Sequence, residues 1–180
     1  MLEIEKRGFL TEEQYKNLLD FLQENGEDLG EDNKDVVYYG FSDKILKVVN
    51  NISKGNAKIS LKLNKLGQGS VFPETEVHFA QDDFKKMKLI IEKITVPDLA
   101  MSGTQKRRNF NYKGCELSVK WSEEWKYHFE IEKLIDSEDR VAEAEKQLEL
   151  VAEELGLKIM TEQELKDFTK KIESTYCNKK

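Results

Sequence analysis

The chain has 180 residues and a mass of 21.0 kDa, with 38% apolar and 36% charged residues, which predicts one folded domain over residues 1–180 with a very polar surface. A formal net charge of −6 argues against a general nucleic-acid or anionic-membrane binder, and no apolar run approaches the length of a membrane span. Because Cys115 and Cys177 lie far apart, we expect no disulfide framework and a cytoplasmic location.

Short strands and two helices are predicted in the first half of the chain. Residues 2–10 alternate as a strand, and Thr11-Glu12-Glu13-Gln14 has the form of a capping box that opens a helix ending at Gly26. The acidic stretch from Glu27 to Asp35 is interpreted as a solvated connection. A second helix is expected after Asp82. Four strands are predicted before it, over residues 36–41, 44–49, 58–64 and 75–80.

Three strands and two helices are predicted in the second half. The strands cover residues 106–112, 115–121 and 127–135, separated by turn-forming residues. An apolar stripe predicts a helix over 138–155, and Thr161-Glu162-Gln163-Glu164 predicts the start of a last helix. We expect the helices of 138–173 to pack on the sheet. A role of helix 138–155 in a homodimer interface is the alternative. The succession predicts an α+β fold with enough strands for a closed antiparallel barrel flanked by helices.

Pairs of glutamates two residues apart recur on three predicted strands. They are Glu3 with Glu5, Glu74 with Glu76, and Glu130 with Glu132. Side chains at i and i+2 of a strand share a face, so each pair presents two carboxylates to one space. Carboxylates this close need a cation between them, which favours a hard divalent metal ion inside a polar β-structure. The spacing alone leaves a second interpretation open, a solvated face of an exposed sheet.

Basic residues alternate in the same way. Lys58 and Lys62 share one face of a predicted strand, and Lys47 flanks the apolar residues of another. In a third strand Lys106 and Arg108 share one face, and Arg107 lies on the opposite face. A carboxylate face opposed by a cationic face suits a metal-bound polyphosphate, because the metal neutralises some phosphate oxygens and Lys and Arg bind the others. Ordinary solubilising lysines are the alternative.

The order of these motifs resembles the CYTH superfamily of triphosphate tunnel metalloenzymes, which includes class IV adenylyl cyclases and thiamine triphosphatases. The resemblance covers nearly the whole chain, and its most specific element is Glu3-Ile4-Glu5-Lys6-Arg7. Arg7 stands where the family usually has Lys, and two further positions depart from the family pattern. Val49 replaces the second Arg of an Arg-x-Arg strand, and Lys120 stands where many members have an acidic residue.

The resemblance implies a β-tunnel that holds a triphosphate-containing small molecule, with no membrane or nucleic-acid partner. Mg²⁺ or Mn²⁺ would be held by Glu3, Glu5, Glu74, Glu130 and Glu132. The implied phosphate ligands are Arg7, Lys47, Lys62, Lys106 and Arg108, and the implied catalytic residues are Arg7, Arg108 and Glu76. The expected activity is metal-dependent hydrolysis of tripolyphosphate or of a triphosphate ester. The alternatives are cyclisation of ATP to cyclic AMP and non-catalytic binding of polyphosphate or a nucleotide.

Overall fold

Antiparallel strands and four helices make up the chain over residues 2–63 and 71–177, the residues that the structure, a computed structural model, describes. The strands are β1 (Leu2–Phe9), β2 (Glu27–Glu31), β3 (Lys34–Gly40), β4 (Ile45–Asn51), β5 (Asn56–Lys62), β6 (Val71–Ala80), β7 (Leu99–Tyr112), β8 (Cys115–Ser122) and β9 (Lys126–Ile135). The helices are α1 (Glu12–Asn25), α2 (Phe84–Ile94), α3 (Val141–Glu154) and α4 (Glu162–Cys177). The predicted α+β class is confirmed.

The strands form one curled sheet in the order β2-β7-β3-β4-β5-β6-β1-β9-β8. The long strand β7 pairs with β3 through its first half and with β8 through its second half, and the two pairings share only Gln105. On the other side, β1 pairs with β6 through Leu2, Glu3 and Ile4. The sheet is an open half-barrel rather than the closed barrel that the sequence predicted.

Two segments are more extended than the sequence predicted. The acidic stretch expected to be a connection contains β2, which pairs with β7 so that Glu31 lies opposite Arg108. Strand β7 begins at Leu99, seven residues before its predicted start at Lys106. In both cases pairing between strands that are distant in sequence overrides a weak local pattern. The end of the strand predicted over 58–64 lies outside the described residues.

Helices cover the outer face of the sheet in two places. Helices α1 and α3 pack over β1, β7, β8 and β9, and the buried core between them includes Ile4, Leu22, Phe110, Leu117, Phe129, Ile131 and Leu148. Helix α2 covers β3 and β4 through a smaller core of Val37, Tyr39, Val48 and Ile91. Each fully buried side chain of this kind stabilises the fold by about 1.5–3 kcal/mol. Because apolar residues at alternate positions face these helices, the intervening polar residues face the concave side.

Local signals set the ends of several elements. The capping box of α1 is confirmed. The backbone N–H of Gln14 donates to Thr11 Oγ1 at 3.1 Å, and the backbone N–H of Thr11 donates to Gln14 Oε1 at 2.9 Å. Lys113 and Gly114 both have positive φ, as a two-residue turn between antiparallel strands requires. Within the described ranges, no helix is both long and apolar enough to cross a bilayer.

Candidate functional site

The concave face of the half-barrel encloses a cavity of about 1080 Å³. Inward side chains of every strand except β2 line it, and α4 adds Lys166, Thr169, Lys170, Ile172 and Glu173 on one side. Half of the lining residues are charged, and acidic and basic side chains come from several strands and from α4. An apolar part is formed by Val36, Ile45, Leu99, Met101 and Leu134.

Three of the predicted metal ligands meet in this cavity. Among the described residues, the carboxylates of Glu3, Glu5 and Glu132 form a group in which one oxygen from each lies within 4.8 Å of the others. We call this the acidic triad. Glu5 faces Glu132 directly across the β1–β9 pair. Carboxylate oxygens at this spacing fit the ligand preference of Mg²⁺ or Mn²⁺, so the acidic triad could hold such an ion.

Lys62 of β5 lies against the acidic triad. Its Nζ is 3.1 Å from Glu3, 3.5 Å from Glu5 and 3.3 Å from Glu74. Burial would lower the pKa of Lys62, but the surrounding carboxylates outweigh burial and raise it. The ammonium group therefore acts as a built-in counter-ion for the acidic side of the cavity.

The surroundings of Glu3 raise its pKa. Burial raises its pKa to about 9, and the nearby charge of Glu5 and a hydrogen bond with Glu74 act in the same direction against the attraction of Lys62. Glu5 behaves differently: burial would raise its pKa, but Arg7 and Lys62 together lower it. Because a metal ion binds deprotonated carboxylates, metal binding at the acidic triad should release the proton of Glu3.

Glu130, a fourth predicted metal ligand, is instead held by two cations. Nη1 of Arg7 lies 3.2 Å from one of its oxygens, and Nζ of Lys120 donates to the other. Burial would raise the pKa of Glu130, but Lys120 and Arg7 hold it well below its usual range. Arg7 also pairs with Glu5, so it joins Glu130 to the acidic triad.

Further cations of the cavity lie on β3, β4 and β7. Lys47 of β4 is 3.6 Å from Glu74. Arg107 of β7 lies 3.4 Å from Asp32 and 3.1 Å from Glu116. Lys34 pairs with Asp32 at 2.6 Å. Sequence reasoning named Lys47 but missed Arg107, Lys34 and the inward position of Lys120.

Lys106 and Arg108 lie on the outer face of β7, which corrects their expected position beside the phosphate. Arg108 pairs with Asp28 of β2, and the Nζ of Lys106 lies 5.7 Å from the ring centroid of Trp121. Strand alternation explains the error, because Phe110 is buried in the outer core and shares its face with Arg108. The same alternation in the sequence could have identified Arg107 as the inward residue.

Glu76 lines the cavity but lies outside the acidic triad. Its carboxylate pairs with Lys58 and lies 3.5 Å from Nε2 of His78. Glu74, two residues earlier on the same face, contacts both Lys62 and Lys47. Of this pair, Glu74 is the one that shares Lys62 with the acidic triad.

No family model and no curated protein matches the chain. Solved structures share its fold at low identity. A conserved hypothetical protein of Pyrococcus furiosus has a TM-score of 0.74 and 21% identity over 88% of this chain and 94% of its own. HpAC1 of Hippeastrum, an adenylyl cyclase candidate with a dominant triphosphatase activity, has a TM-score of 0.62 and 17% identity over 88% and 89%. A chain of the Schizosaccharomyces pombe Mediator head module has a TM-score of 0.67 and 12% identity over 88% and 98%. The chain thus shares its fold with solved structures that include an adenylyl cyclase candidate, as the motif order predicted.

Proposed function

We propose that this chain hydrolyses the terminal phosphate of tripolyphosphate or of a related triphosphate ester with the help of a divalent metal ion. The observation that carries the proposal is the acidic triad, which shares one cavity with Lys62, Arg7, Lys47 and Arg107. A metal–triphosphate complex needs oxygen ligands for the metal and cations for the remaining phosphate oxygens, and the cavity offers both. The fold shared with HpAC1, which has triphosphatase activity, supports the proposal.

The cations have distinct tasks in this reaction. A Mg²⁺ or Mn²⁺ ion on Glu3, Glu5 and Glu132 would supply Lewis-acid neutralisation of phosphate oxygens. Lys62 and Arg7, beside the acidic triad, stabilise the charge on the phosphoryl group that is transferred. Lys47 and Arg107 bind the rest of the phosphate chain from β4 and β7, and Glu74 orients the attacking water.

Phosphate release from tripolyphosphate with Mg²⁺ or Mn²⁺ tests the proposal. Glu132→Gln should lower the rate by about 100-fold or more, because loss of a metal ligand removes several kcal/mol of charge stabilisation. Glu124→Gln is the matched control: Glu124 also lines the cavity but hydrogen-bonds Tyr176 of α4, and its rate should stay within about threefold of wild type. A wild-type protein inert towards tripolyphosphate, ATP and thiamine triphosphate would overturn the hydrolase proposal.

Cyclisation of ATP to cyclic AMP is a second candidate, favoured by the apolar part of the cavity. Ile45, Leu99, Met101 and Leu134 offer a surface for an organic group attached to the triphosphate. In this reaction the ribose 3′-hydroxyl attacks the α-phosphorus and pyrophosphate leaves. Cyclic AMP and pyrophosphate formed in equal amounts would select it over hydrolysis. Tight tripolyphosphate binding with neither product would instead indicate a non-catalytic binding module.

A further inference from the structure

Both carboxylate oxygens of Glu130 are already engaged by cations. One oxygen is 3.2 Å from Arg7 and the other accepts a hydrogen bond from Lys120. Both cations are almost completely buried, with 9% exposure for Arg7 and 4% for Lys120. The strand register maintains this arrangement, because Arg7 lies opposite Glu130 across β1–β9, and Lys120 lies on β8 two residues beyond the partner of Glu130.

The position of Lys120 places a fixed positive charge at one end of the metal-binding region. Glu130 lies two residues before Glu132 of the acidic triad on β9, so both carboxylates lie on the cavity face of the strand. Without Lys120, two adjacent β9 carboxylates would face the same space and could together attract a further cation. With Lys120, a second divalent ion at Glu130 would have to displace a buried ammonium group and leave it without its partner, which is costly.

We propose that Lys120 takes the place of a second divalent cation, so that this site binds one metal ion per chain, at the acidic triad. The inference rests on the proposed metal site and deepens it. Glu130 then acts as a positioning residue that holds Arg7 and Lys120 towards the phosphate chain. The cavity would accept a triphosphate bound to a single metal ion, with Lys120 neutralising the phosphate oxygens that a second ion would otherwise contact.

Mn²⁺ binding to the full chain, measured by calorimetry with and without tripolyphosphate, tests this inference. Wild type should bind one Mn²⁺ ion. Lys120→Glu places a carboxylate beside Glu130 and should bind two, the second about tenfold tighter than any further Mn²⁺ binding to wild type. Lys106→Glu is the matched control: it makes the same change in net charge on the outer face of β7 and should still bind one ion.

The number of Mn²⁺ ions bound tests the role of Lys120 separately from the proposed function. Two Mn²⁺ ions in wild type, or one in both wild type and Lys120→Glu, would overturn the role of Lys120 while leaving the acidic triad as a metal site. No Mn²⁺ binding in wild type would overturn the proposed function itself. If circular dichroism shows that Lys120→Glu does not fold, Lys120→Gln is tested in its place. Binding of a second Mn²⁺ ion to Lys120→Gln, weaker than the first, supports the inference, and binding of a single ion overturns it.

Discussion

His128 is a buried histidine that the sequence analysis left without a role, and its surroundings keep it neutral. The side chain is 2% exposed, and its Nδ1 donates a hydrogen bond to the carbonyl oxygen of Lys126 at 2.9 Å. Burial, assisted by the positive charge of Lys120, lowers the pKa of His128 to about 4. In the unfolded chain the pKa of a histidine is about 6.5. Between these values the unfolded state binds more protons than the folded state, so stability falls as the pH falls.

We therefore expect the free energy of unfolding to decrease by about 3 kcal/mol because of His128 alone as the pH falls from 7 to 4. Urea unfolding at a series of pH values measures this slope. His128→Gln should flatten it, since glutamine does not titrate. His78→Gln, at a histidine whose side chain is 64% exposed, should keep the wild-type slope. An equally steep slope in His128→Gln would assign the acid sensitivity to other groups.

The sequence could predict single residues only where the signal was local. Glu3 and Glu5 were found because alternation along one strand shows that they share a face. The prediction that Lys106 and Arg108 bind phosphate was wrong although the signal was also local. Phe110 is buried in the outer core, and alternation places Arg108 on the same face of the strand. The pairing of Lys120 with Glu130 could not be predicted, because it depends on the register between β8 and β9. A register shift of one residue would turn each of these side chains to the other face.

At the scale of elements, aromatic rings connect α4 with the sheet. Phe168 contacts Phe9 of β1 and Trp125 edge-on, with ring centroids 4.9 and 4.5 Å apart. Trp125 lines the cavity, and the Arg7 guanidinium lies 5.6 Å from its ring centroid. The sequence predicted α4 from its capping box and apolar stripe. It could not predict that the helix lines the cavity, because that position depends on contacts with distant strands.

Phe168→Ala should loosen α4 without unfolding the sheet. Each aromatic pair contributes about 0.5–1.5 kcal/mol beyond burial, and both pairs are lost. We expect faster amide hydrogen exchange in α4 and a KM for tripolyphosphate raised by about threefold to tenfold, since α4 lines one side of the cavity. Phe21→Ala is the control, because Phe21 makes a similar edge-on contact with Tyr112 on the far side of the sheet. Unchanged exchange in α4 would show that other contacts hold it.

At the scale of the whole molecule, the site joins residues from the beginning, middle and end of the chain. Glu3, Lys62 and Glu132 belong to β1, β5 and β9, which come together because the sheet runs in the order β5-β6-β1-β9. The order of motifs was enough to predict the class of fold. It overestimated closure of the barrel, because the order of motifs does not specify how far distant strands pair. Although the chain has a net charge of −6, the cations and carboxylates that line the cavity largely neutralise one another.

This mutual neutralisation predicts how stability should respond to metal. Lys62 is 8% exposed and contacts three carboxylates, so Lys62→Gln would leave buried negative charge without its counter-ion. We expect a loss of about 3 kcal/mol in metal-free buffer, which corresponds to a fall in Tm of roughly 6–12 °C for a chain of this size. Scanning calorimetry with EDTA and then with excess Mn²⁺ measures both states.

Mn²⁺ should restore most of that stability, because a divalent ion at the acidic triad replaces the lost positive charge. At about 100 times its Kd, a ligand that binds only the folded state adds about 2.7 kcal/mol. The rise in Tm with Mn²⁺ should be larger for Lys62→Gln than for wild type, since the ion no longer competes with an ammonium group for Glu3 and Glu5. Lys47→Gln is the matched control: Lys47 contacts Glu74 at 3.6 Å, and its side chain is 21% exposed. Equal responses of the two variants to Mn²⁺ would show that Lys62 and the metal ion do not share a site.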